Sequence, residues 1–433
     1  MDNSPLIVFR ILFGILISLE CFGAIATGWV RRTFIEPKFT FTFIGFEWLQ
    51  PLPGSWMYLY FSIMGLLGLM VALGYKYRFS IFSFTLMWTG AYLMQKTAYN
   101  NHYYLLILVS FFMCFFPANR RYSLDVRRHP AWQSDSMFSY IKWLVVLQLL
   151  IVYTYASLAK LYGDWLDLRF IRLLMKSRED TFLIGDWLQQ PWVWHAVKYI
   201  GIGFDLLIIP AMLWKPSRKI AFTFAVFFHL FNSAVFQIGI FPYLSLAFMV
   251  FFFEPETIRR IFLRDKKPYV HWRIERPRNK AWILWGWGLY LAVQLLLPVR
   301  HYFFRGDVLW TEEGHRMSWR MMLRNRSGHI IYRVKDKDTG RFSAVHLNDF
   351  LTKKQQAWVA IYPDLIWQFA QHLKQEYALQ GKDVAIYVNS KVGINGRPMR
   401  PFIDPTVDLA NIPWEPFKHS NWILPSKSEP GGP

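Results

Sequence analysis

Long apolar segments alternate with short polar loops along the first 300 residues of the chain. Several of these segments approach the ~20 residues that a helix needs to cross the hydrocarbon core of a bilayer. We therefore predict a mainly α membrane protein with a bundle of about nine transmembrane helices. The two segments that flank the sequence GIFPY also fit one broken helix. The predicted spans cover residues 11–30, 55–74, 79–94, 102–116, 143–163, 195–214, 218–237, 240–253 and 281–299.

The positive charges of the loops predict the orientation of the bundle. With the N-terminus inside, the inner loops contain many more Lys and Arg residues than the outer loops. Because positive residues accumulate in cytoplasmic loops, we expect a cytoplasmic N-terminus and an outer location for everything after Val299. The first apolar segment lacks a cleavage site of small residues, and so we interpret it as a retained span.

The composition changes to a mixed polar pattern at about Arg300. The stretch HIIYRVKDKDTGRFSAVHL predicts a β-hairpin, and DVAIYVNSKVGI predicts a further strand. Between them, PDLIWQFAQHLKQEYALQG predicts an amphipathic helix that ends at Gly381. We therefore divide the chain into a helical bundle with the active site (1–299), an outward-facing, β-rich α+β domain (300–425) and a disordered tail (426–433).

The composition argues against nucleic-acid binding and against a metal site. The chain has 433 residues, of which 54% are hydrophobic, and a formal net charge of +20. Such a charge is common in nucleic-acid-binding proteins, but here the basic residues lie between apolar segments, where topology signals belong. We therefore expect membrane lipid as a partner and no nucleic acid. Cys21 and Cys114 lie inside apolar segments without metal-ligand spacing, and we predict no metal site.

A single lysine, Lys160, follows an apolar run in the stretch IVYTYASLAKLYGDW, near the predicted outer face. One interpretation is a snorkelling side chain whose ammonium group reaches the interface. The other is a buried amine that acts as a general base. Asp164 lies one helical turn further on and could pair with Lys160, which would keep the amine charged. The spacing leaves these alternatives open.

Two further groups of polar residues lie on the same predicted side of the membrane. Asn100, Asn101 and His102 precede the apolar run YYLLILVSFFMCFF. They mark either a capped helix start or a neutral donor beside an imidazole that handles a proton. His229 and Asn232 lie three residues apart on one helical face, a spacing more typical of an interhelical hydrogen-bond pair than of metal ligands.

The outer domain contains an arginine-rich group in the stretches SWRMMLRNRSG and INGRPMRPFIDP. Each arginine alone is more typical of a solvated surface. As a set that faces the membrane site, the arginines would bind carboxylates through bidentate guanidinium contacts. The group comprises Arg324, Arg326, Arg397 and Arg400, with Trp319 and Asp404 nearby.

Five groups of motifs occur in one order between about residue 90 and residue 420: YNNHYYL, ASLAKLYGDW, FHLFNSAVFQIGIFPY, SWRMM with RNRS, and FIDPTVDL with WEPF. In these motifs the chain resembles the vitamin K-dependent γ-glutamyl carboxylases and their bacterial relatives of the horizontally transferred transmembrane (HTTM) type. The resemblance implies a multi-pass protein of a bacterial inner membrane. It also implies a lyase that converts peptidyl glutamate to γ-carboxyglutamate.

The resemblance implies that reduced vitamin K, a phylloquinol or a menaquinol, is oxidised by O2 to its epoxide. The strong base formed in this epoxidation deprotonates a glutamate of a protein or peptide, which then takes up CO2. Lys160 would be the base that acts on the quinol, and Asn101 and His102 would serve deprotonation and carboxylation of the glutamate. The quinone pocket would include His229, Asn232, Phe236 and Phe241. The glutamate substrate would be bound by Trp319, Arg324, Arg326, Arg397 and Arg400.

The chain departs from the family pattern at three positions. Ala159 replaces the first of two adjacent lysines of animal members, Arg324 replaces a histidine, and His315 replaces a tyrosine. Because the last two lie in the glutamate-handling region, two alternatives stay open. One is a quinol oxygenase that forms the epoxide without carboxylation. The other is a non-enzymatic membrane protein that binds quinone or lipid.

Overall fold

A computed structural model of the chain describes residues 1–269 and 277–426. The N-terminal part is a bundle of helices, and most of the predicted tail lies outside the described residues. The helices are α1 (Ser4–Ala26), α2 (Trp56–Leu73), α3 (Tyr77–Met94), α4 (Asn101–Phe115), α5 (Leu124–Arg128), α6 (Ser139–Leu158), α7 (Gly163–Leu166), α8 (Arg169–Lys176), α9 (Gly185–Leu188), α10 (Pro191–Leu213), α11 (Arg218–Phe236), α12 (Phe241–Phe248), α13 (Pro255–Phe262) and α14 (Lys280–Leu296).

Six helical segments of the described chain are long and apolar enough to cross a membrane: α1, α2, α6, α10, α11 and Lys280–Phe303, which extends α14. The other three predicted spans also contain helices, namely α3, α4 and Phe241–Phe251. However, α4 extends only about 22 Å, which is less than the ~30 Å hydrocarbon core. Nine complete spans are therefore not confirmed within the described ranges.

The sequence around GIFPY forms two separate helices joined by a tight turn. The backbone leaves α11 through Gln237 and Gly239, whose φ angles are 51° and 64°. Glycine adopts this left-handed conformation without a steric penalty. Pro242 then lies in the first turn of α12, where its missing N–H costs no helical hydrogen bond. The turn brings Phe236, at the end of α11, close to the start of α12.

The predicted fifth span ends earlier than expected, because α6 stops at Leu158 rather than at 163. The chain then forms the short helices α7, α8 and α9, which the hydrophobic pattern did not indicate. Helix α8 is amphipathic. It buries Phe170, Ile171 and Met175 and exposes its arginines and its lysine. Lys160 therefore lies in the turn between α6 and α7 and not inside a helix.

The outer domain contains a four-stranded antiparallel sheet with the strand order β2-β1-β3-β4. The strands are β1 (Arg326–Asp336), β2 (Phe342–Ala344), β3 (Val384–Ile394) and β4 (Arg400–Ile403). Helices α15 (Val308–Thr311), α16 (Lys353–Val359) and α17 (Pro363–Leu379) accompany it. The predicted hairpin, helix and third strand are confirmed as β1–β2, α17 and β3. The short elements α16 and β4 were not predicted, since neither carries a periodic apolar pattern of useful length.

Buried ion pairs join the outer domain to the bundle. Asp364, in the first turn of α17, accepts hydrogen bonds from Lys96 Nζ at 2.7 Å and from Arg316 Nη1 at 2.6 Å. Lys96 lies in the connection between α3 and α4 and is almost completely buried. The two cations hold the pKa of Asp364 well below its usual range, although burial alone would raise it. The segment around residue 316 is thereby fixed against the membrane helices.

Candidate active site

Lys160 lies in the turn after α6 and faces a carboxylate of α10. Its Nζ atom is 2.5 Å from Asp205 Oδ2 and 3.1 Å from the carbonyl oxygen of Ala156. The indole ring of Trp165 lies 5.5 Å from the same nitrogen. Only 9% of the Lys160 side chain and 10% of the Asp205 side chain are exposed. The ammonium group is therefore directed into the protein, where an unpaired charge would be costly, and Asp205 is its counter-ion.

Asp164 is not the partner of Lys160, and the pairing that the sequence spacing allowed is wrong. The two carboxylate oxygens of Asp164 each accept a hydrogen bond from the Arg397 guanidinium at 2.5 Å. Asn395 Nδ2 donates a third hydrogen bond to Oδ2 at 2.7 Å. Arg397 and Asn395 belong to the turn after β3, which reaches back to α7. The carboxylate at 164 is therefore fully engaged in a contact between the outer domain and the bundle.

Lys160 and Asp205 lie in the wall of a cavity of about 320 Å³, here called the apolar cavity. Pockets that hold small cofactors are typically concave and apolar, with a few polar groups that fix the ligand. Three of the predicted quinone-binding residues, Asn232, Phe236 and Phe241, line the apolar cavity. Most of the remaining lining is aromatic or aliphatic and includes Trp165, Trp187, Ile200, Phe224, Phe227, Phe228 and Phe231.

His229, the fourth predicted quinone-binding residue, is not among the residues that line the apolar cavity. Its Nε2 atom is 3.1 Å from the hydroxyl of Tyr153, and its side chain is buried. The imidazole meets the ring of Phe241 edge-on, with the ring centroids 6.0 Å apart. His229 therefore supports one aromatic wall of the apolar cavity from behind.

His102 lies at the edge of the apolar cavity, and its ring stacks on Phe241 with a centroid distance of 4.2 Å. Helix α4 begins one residue earlier, and the side chain of Asn100 caps it by accepting a hydrogen bond from the Tyr103 N–H at 2.7 Å. The capping interpretation of this stretch is thus confirmed, with Asn100 as the cap. The cap fixes the first turn of α4, which holds Asn101 and His102 in place.

Asn101 connects α4 to the segment that follows residue 316. The N–H of Met317 donates to the Tyr99 hydroxyl at 2.6 Å, and this hydroxyl donates to Asn101 Oδ1 at 2.9 Å. Asn101 Nδ2 in turn donates to the carbonyl oxygen of Arg320 at 3.2 Å. This chain of hydrogen bonds holds the outer-domain segment 317–320 against the start of α4.

A second cavity of about 220 Å³, here called the arginine cavity, adjoins this segment. Three residues, His102, Met321 and Met322, line both the arginine cavity and the apolar cavity. These three residues therefore form a shared boundary of the two cavities. The other residues that line the arginine cavity are Tyr99, Asn100, Asn101, Glu312, His315, Arg316, Arg320, Arg324, Trp358 and Tyr362.

The charges of the arginine cavity are partly compensated within the protein. Arg324 Nε donates to Glu312 Oε1 at 2.5 Å, and its Nη2 contacts the second oxygen of the same carboxylate. Burial lowers the pKa of Arg324, but the Glu312 carboxylate outweighs burial and raises it above the usual range. Burial and the neighbouring arginines lower the pKa of His315 well below its usual range, so this imidazole is neutral at pH 7. The cavity combines fixed positive charge with a neutral ring.

The other predicted substrate-binding residues lie elsewhere. Trp319 is almost completely buried and packs on Tyr104, with the ring centroids 5.1 Å apart. Arg326 donates to the carbonyl oxygens of residues 309 and 310 at 2.5 and 2.9 Å, and its side chain is 2% exposed. Arg397 and Arg400 line a third, larger cleft between the outer domain and the turn at residues 162–164. Of the five predicted residues, only Arg324 faces the arginine cavity.

Several residues of the two cavities were missed by sequence reasoning. Asp205 had a detectable signal, because a carboxylate in the middle of an apolar span is a functional candidate by default. Arg316 and Glu312 had no comparable signal, since single charged residues in a polar domain are common. Within residues 1–269 and 277–426, three or more His, Cys, Asp or Glu side chains do not come together in a group that could hold a metal ion.

The fold and the two cavities define a helical protein with apolar helices long enough to span a membrane, an apolar cavity and an adjoining cavity lined by arginines. A family model described as the HTTM domain matches residues 1–256, which is more than half of the chain. A second, described as the lumenal domain of vitamin K-dependent gamma-carboxylase, matches residues 279–429. The chain belongs to the vitamin K-dependent gamma-carboxylase family. The lumenal-domain match places the C-terminal domain on the non-cytoplasmic side. The search of solved structures gave no match.

Proposed function

We propose that the chain is a vitamin K-dependent γ-carboxylase-like enzyme. The observation that carries this proposal is the buried pair of Lys160 and Asp205 in an apolar cavity that shares a wall with the arginine cavity. A reduced naphthoquinone fits the apolar cavity, because the lining is largely aromatic and its polar groups are few. When bound, the quinol reacts with O2, becomes the epoxide and supplies the strong base that prepares a peptidyl glutamate for carboxylation by CO2.

Lys160 and Asp205 together act as the base towards the quinol hydroxyl. In the resting pair the ammonium group donates a hydrogen bond to Asp205 Oδ2 at 2.5 Å. The proton can transfer along this hydrogen bond to the carboxylate. Transfer leaves a neutral amine beside a neutral carboxylic acid, and the total charge of the pair stays zero. The free amine would then hold a proton taken from the hydroxyl of a bound quinol, and the resulting ammonium group would stabilise negative charge beside it.

Phe236, Phe241 and Asn232 hold the ring of the quinone, and His229 fixes Phe241 through its edge-on contact. Apolar walls exclude water from the space around Lys160, which protects a strong base from being quenched by solvent. His102, on the shared wall, is placed to handle a proton between the two cavities.

The arginine cavity receives the carboxylate of a peptidyl glutamate. Arg316, Arg320 and Arg324 supply guanidinium groups, which match carboxylates in geometry and charge. Arg397 and Arg400, in the cleft outside, would contact the polypeptide that flanks the glutamate. On this proposal the two cavities face the outer side of a bacterial inner membrane, and the quinol reaches the enzyme from the lipid.

The test is an assay of membranes that contain the protein, with reduced vitamin K, labelled bicarbonate and a glutamate peptide. Wild-type protein should form epoxide and labelled peptide. Removal of a general base typically lowers the rate about 10²- to 10⁴-fold, and Lys160→Ala should lower both products by such a factor. Equal labelling by wild type and variant would refute the assignment of Lys160. Absence of both products from wild type would refute the enzyme.

A quinol oxygenase without carboxylation is the second candidate. The specific observation in its favour is that Glu312 already occupies both Nε and Nη2 of Arg324, so a substrate carboxylate must compete with an internal one. This candidate predicts epoxide formation by wild type without any label in the peptide, at peptide concentrations up to the limit of solubility.

A further inference from the structure

The segment that separates the two cavities has an unusual backbone. Met317, Trp319 and Met322 all have positive φ angles, of 57°, 59° and 51°. Side chains other than glycine rarely adopt this conformation, and clusters of it persist only where the surroundings impose them. The surroundings here are the buried ring of Trp319, the Tyr99 hydroxyl that accepts from the Met317 N–H, and the Asn101 amide that donates to the segment. The backbone is thus held in a shape that the sequence would not choose locally.

Two methionines, Met321 and Met322, belong to this segment. Met321 and Met322 follow the anchored carbonyl of Arg320 directly, and both line the apolar cavity and the arginine cavity. The third residue of the shared wall, His102, is fixed by its stacking on Phe241. Methionine is unbranched and changes rotamer easily, so it can fill a gap and also move aside without a backbone shift. The two methionines are the adaptable part of the wall.

We propose that Met321 and Met322 form a movable partition that couples quinol oxidation to glutamate carboxylation. The inference rests on the proposed function and adds a role that the carboxylation chemistry itself does not require. Closed, the thioether side chains keep water and the arginine charges away from the apolar cavity. Displaced, they give the strong base generated there direct access to the proton on the γ-carbon of the glutamate. Both residues are positioning residues in this account, since neither exchanges a proton or an electron.

The coupling is measured as the ratio of epoxide formed to glutamate carboxylated. If the partition is removed by Met321→Ala with Met322→Ala, water reaches the base and quenches it before the glutamate does. The ratio should then rise at least tenfold over wild type. The variant with leucine at both positions keeps the volume and the apolar character of the wall, and its ratio should stay within threefold of wild type.

A matched control is Met399→Ala, which truncates a methionine of the outer domain that is 47% exposed and lies outside the lining of both cavities. Its ratio should equal that of wild type. Quenching of tryptophan fluorescence by added quinone reports whether each variant still binds the ligand, because Trp165 and Trp187 line the apolar cavity. A folded double-alanine variant should retain this quenching.

The outcomes separate the inference from the function on which it rests. If the double-alanine variant binds quinone and its product ratio rises less than tenfold over wild type, the partition is refuted and the enzyme stands. If both products fall in parallel, the methionines serve only the stability of the site, and the inference is equally refuted. If wild type forms neither product, the proposed function fails, and the inference fails with it.

Discussion

The pairing of Lys160 with Asp205 can be tested quantitatively by a double-mutant cycle. Lys160→Met removes the ammonium group, Asp205→Leu removes the carboxylate, and both replacements keep apolar volume at the site. Each single variant leaves one charged partner about nine-tenths buried without its counter-ion. Breaking a buried ion pair in this way costs about 3–5 kcal/mol of unfolding free energy. We expect the lower end of this range, because the remaining group faces a cavity and can neutralise itself by a change of protonation.

The double variant should be much more stable than the sum of the two single effects indicates. Replacement of both members of a buried pair by apolar residues is often neutral or stabilising, because the desolvation cost disappears together with the attraction. The coupling free energy between the two positions should therefore be at least about 2 kcal/mol. The measurement is reversible unfolding, in mixed detergent micelles, of the purified wild type and the three variants.

Asp164 provides the matched control for this cycle. It is buried like Asp205 and lies only four residues from Lys160 in sequence, but it binds Arg397 and Asn395. Asp164→Asn should destabilise the protein by itself, with a coupling to Lys160→Met below about 0.5 kcal/mol. A coupling of Asp164 with Lys160 as large as that of Asp205, or additive effects of Lys160→Met and Asp205→Leu, would refute the pair.

Three further predictions concern the stability of the fold. Glu312→Gln leaves the buried Arg324 and Arg326 without a counter-charge and should lower the free energy of unfolding by about 3–5 kcal/mol in denaturant. The control Glu415→Gln, which breaks an exposed ion pair, should lower it by less than about 1 kcal/mol. Because His315 has a lowered pKa in the folded state, the unfolded state binds more protons below pH ~6.5. The contribution of His315 to the free energy of unfolding should therefore be fully present above that pH and should fall by up to about 1.4 kcal/mol per pH unit below it. Thermal unfolding at pH 7.5 and at pH 5.5 should show a smaller loss of stability for His315→Gln than for wild type. Gly14→Ala would place a Cβ atom 2.3 Å from a backbone nitrogen of α2 and should destabilise the bundle by about 1–3 kcal/mol in thermal unfolding. Gly203→Ala, whose Cβ atom would meet nothing within 4 Å, should be tolerated. Equal effects of the two substitutions would contradict the close packing of α1 on α2.

Much of the secondary structure follows from the local pattern of the sequence. Each predicted apolar segment contains a helix, and the hairpin, amphipathic helix and third strand of the outer domain occur where the periodicity indicated them. The errors lie at the ends of elements and in short elements. The α6 helix ends at Leu158, and Lys160, in the turn that follows, contacts Asp205 of α10. A tertiary contact of this kind leaves no periodic signal in the local sequence.

The sequence by itself determined which residue types lie in the membrane region, and it indicated Lys160, His102 and the aromatic residues at the α11–α12 turn as candidates. Motif order also determined the family. The tertiary structure decided the partners: Asp205 rather than Asp164 for Lys160, and Glu312 for Arg324. The physical reason is that a charge buried in an apolar protein must find a counter-charge in space. Folding can supply it from any distance along the chain, 45 residues away for Lys160 and 12 for Arg324.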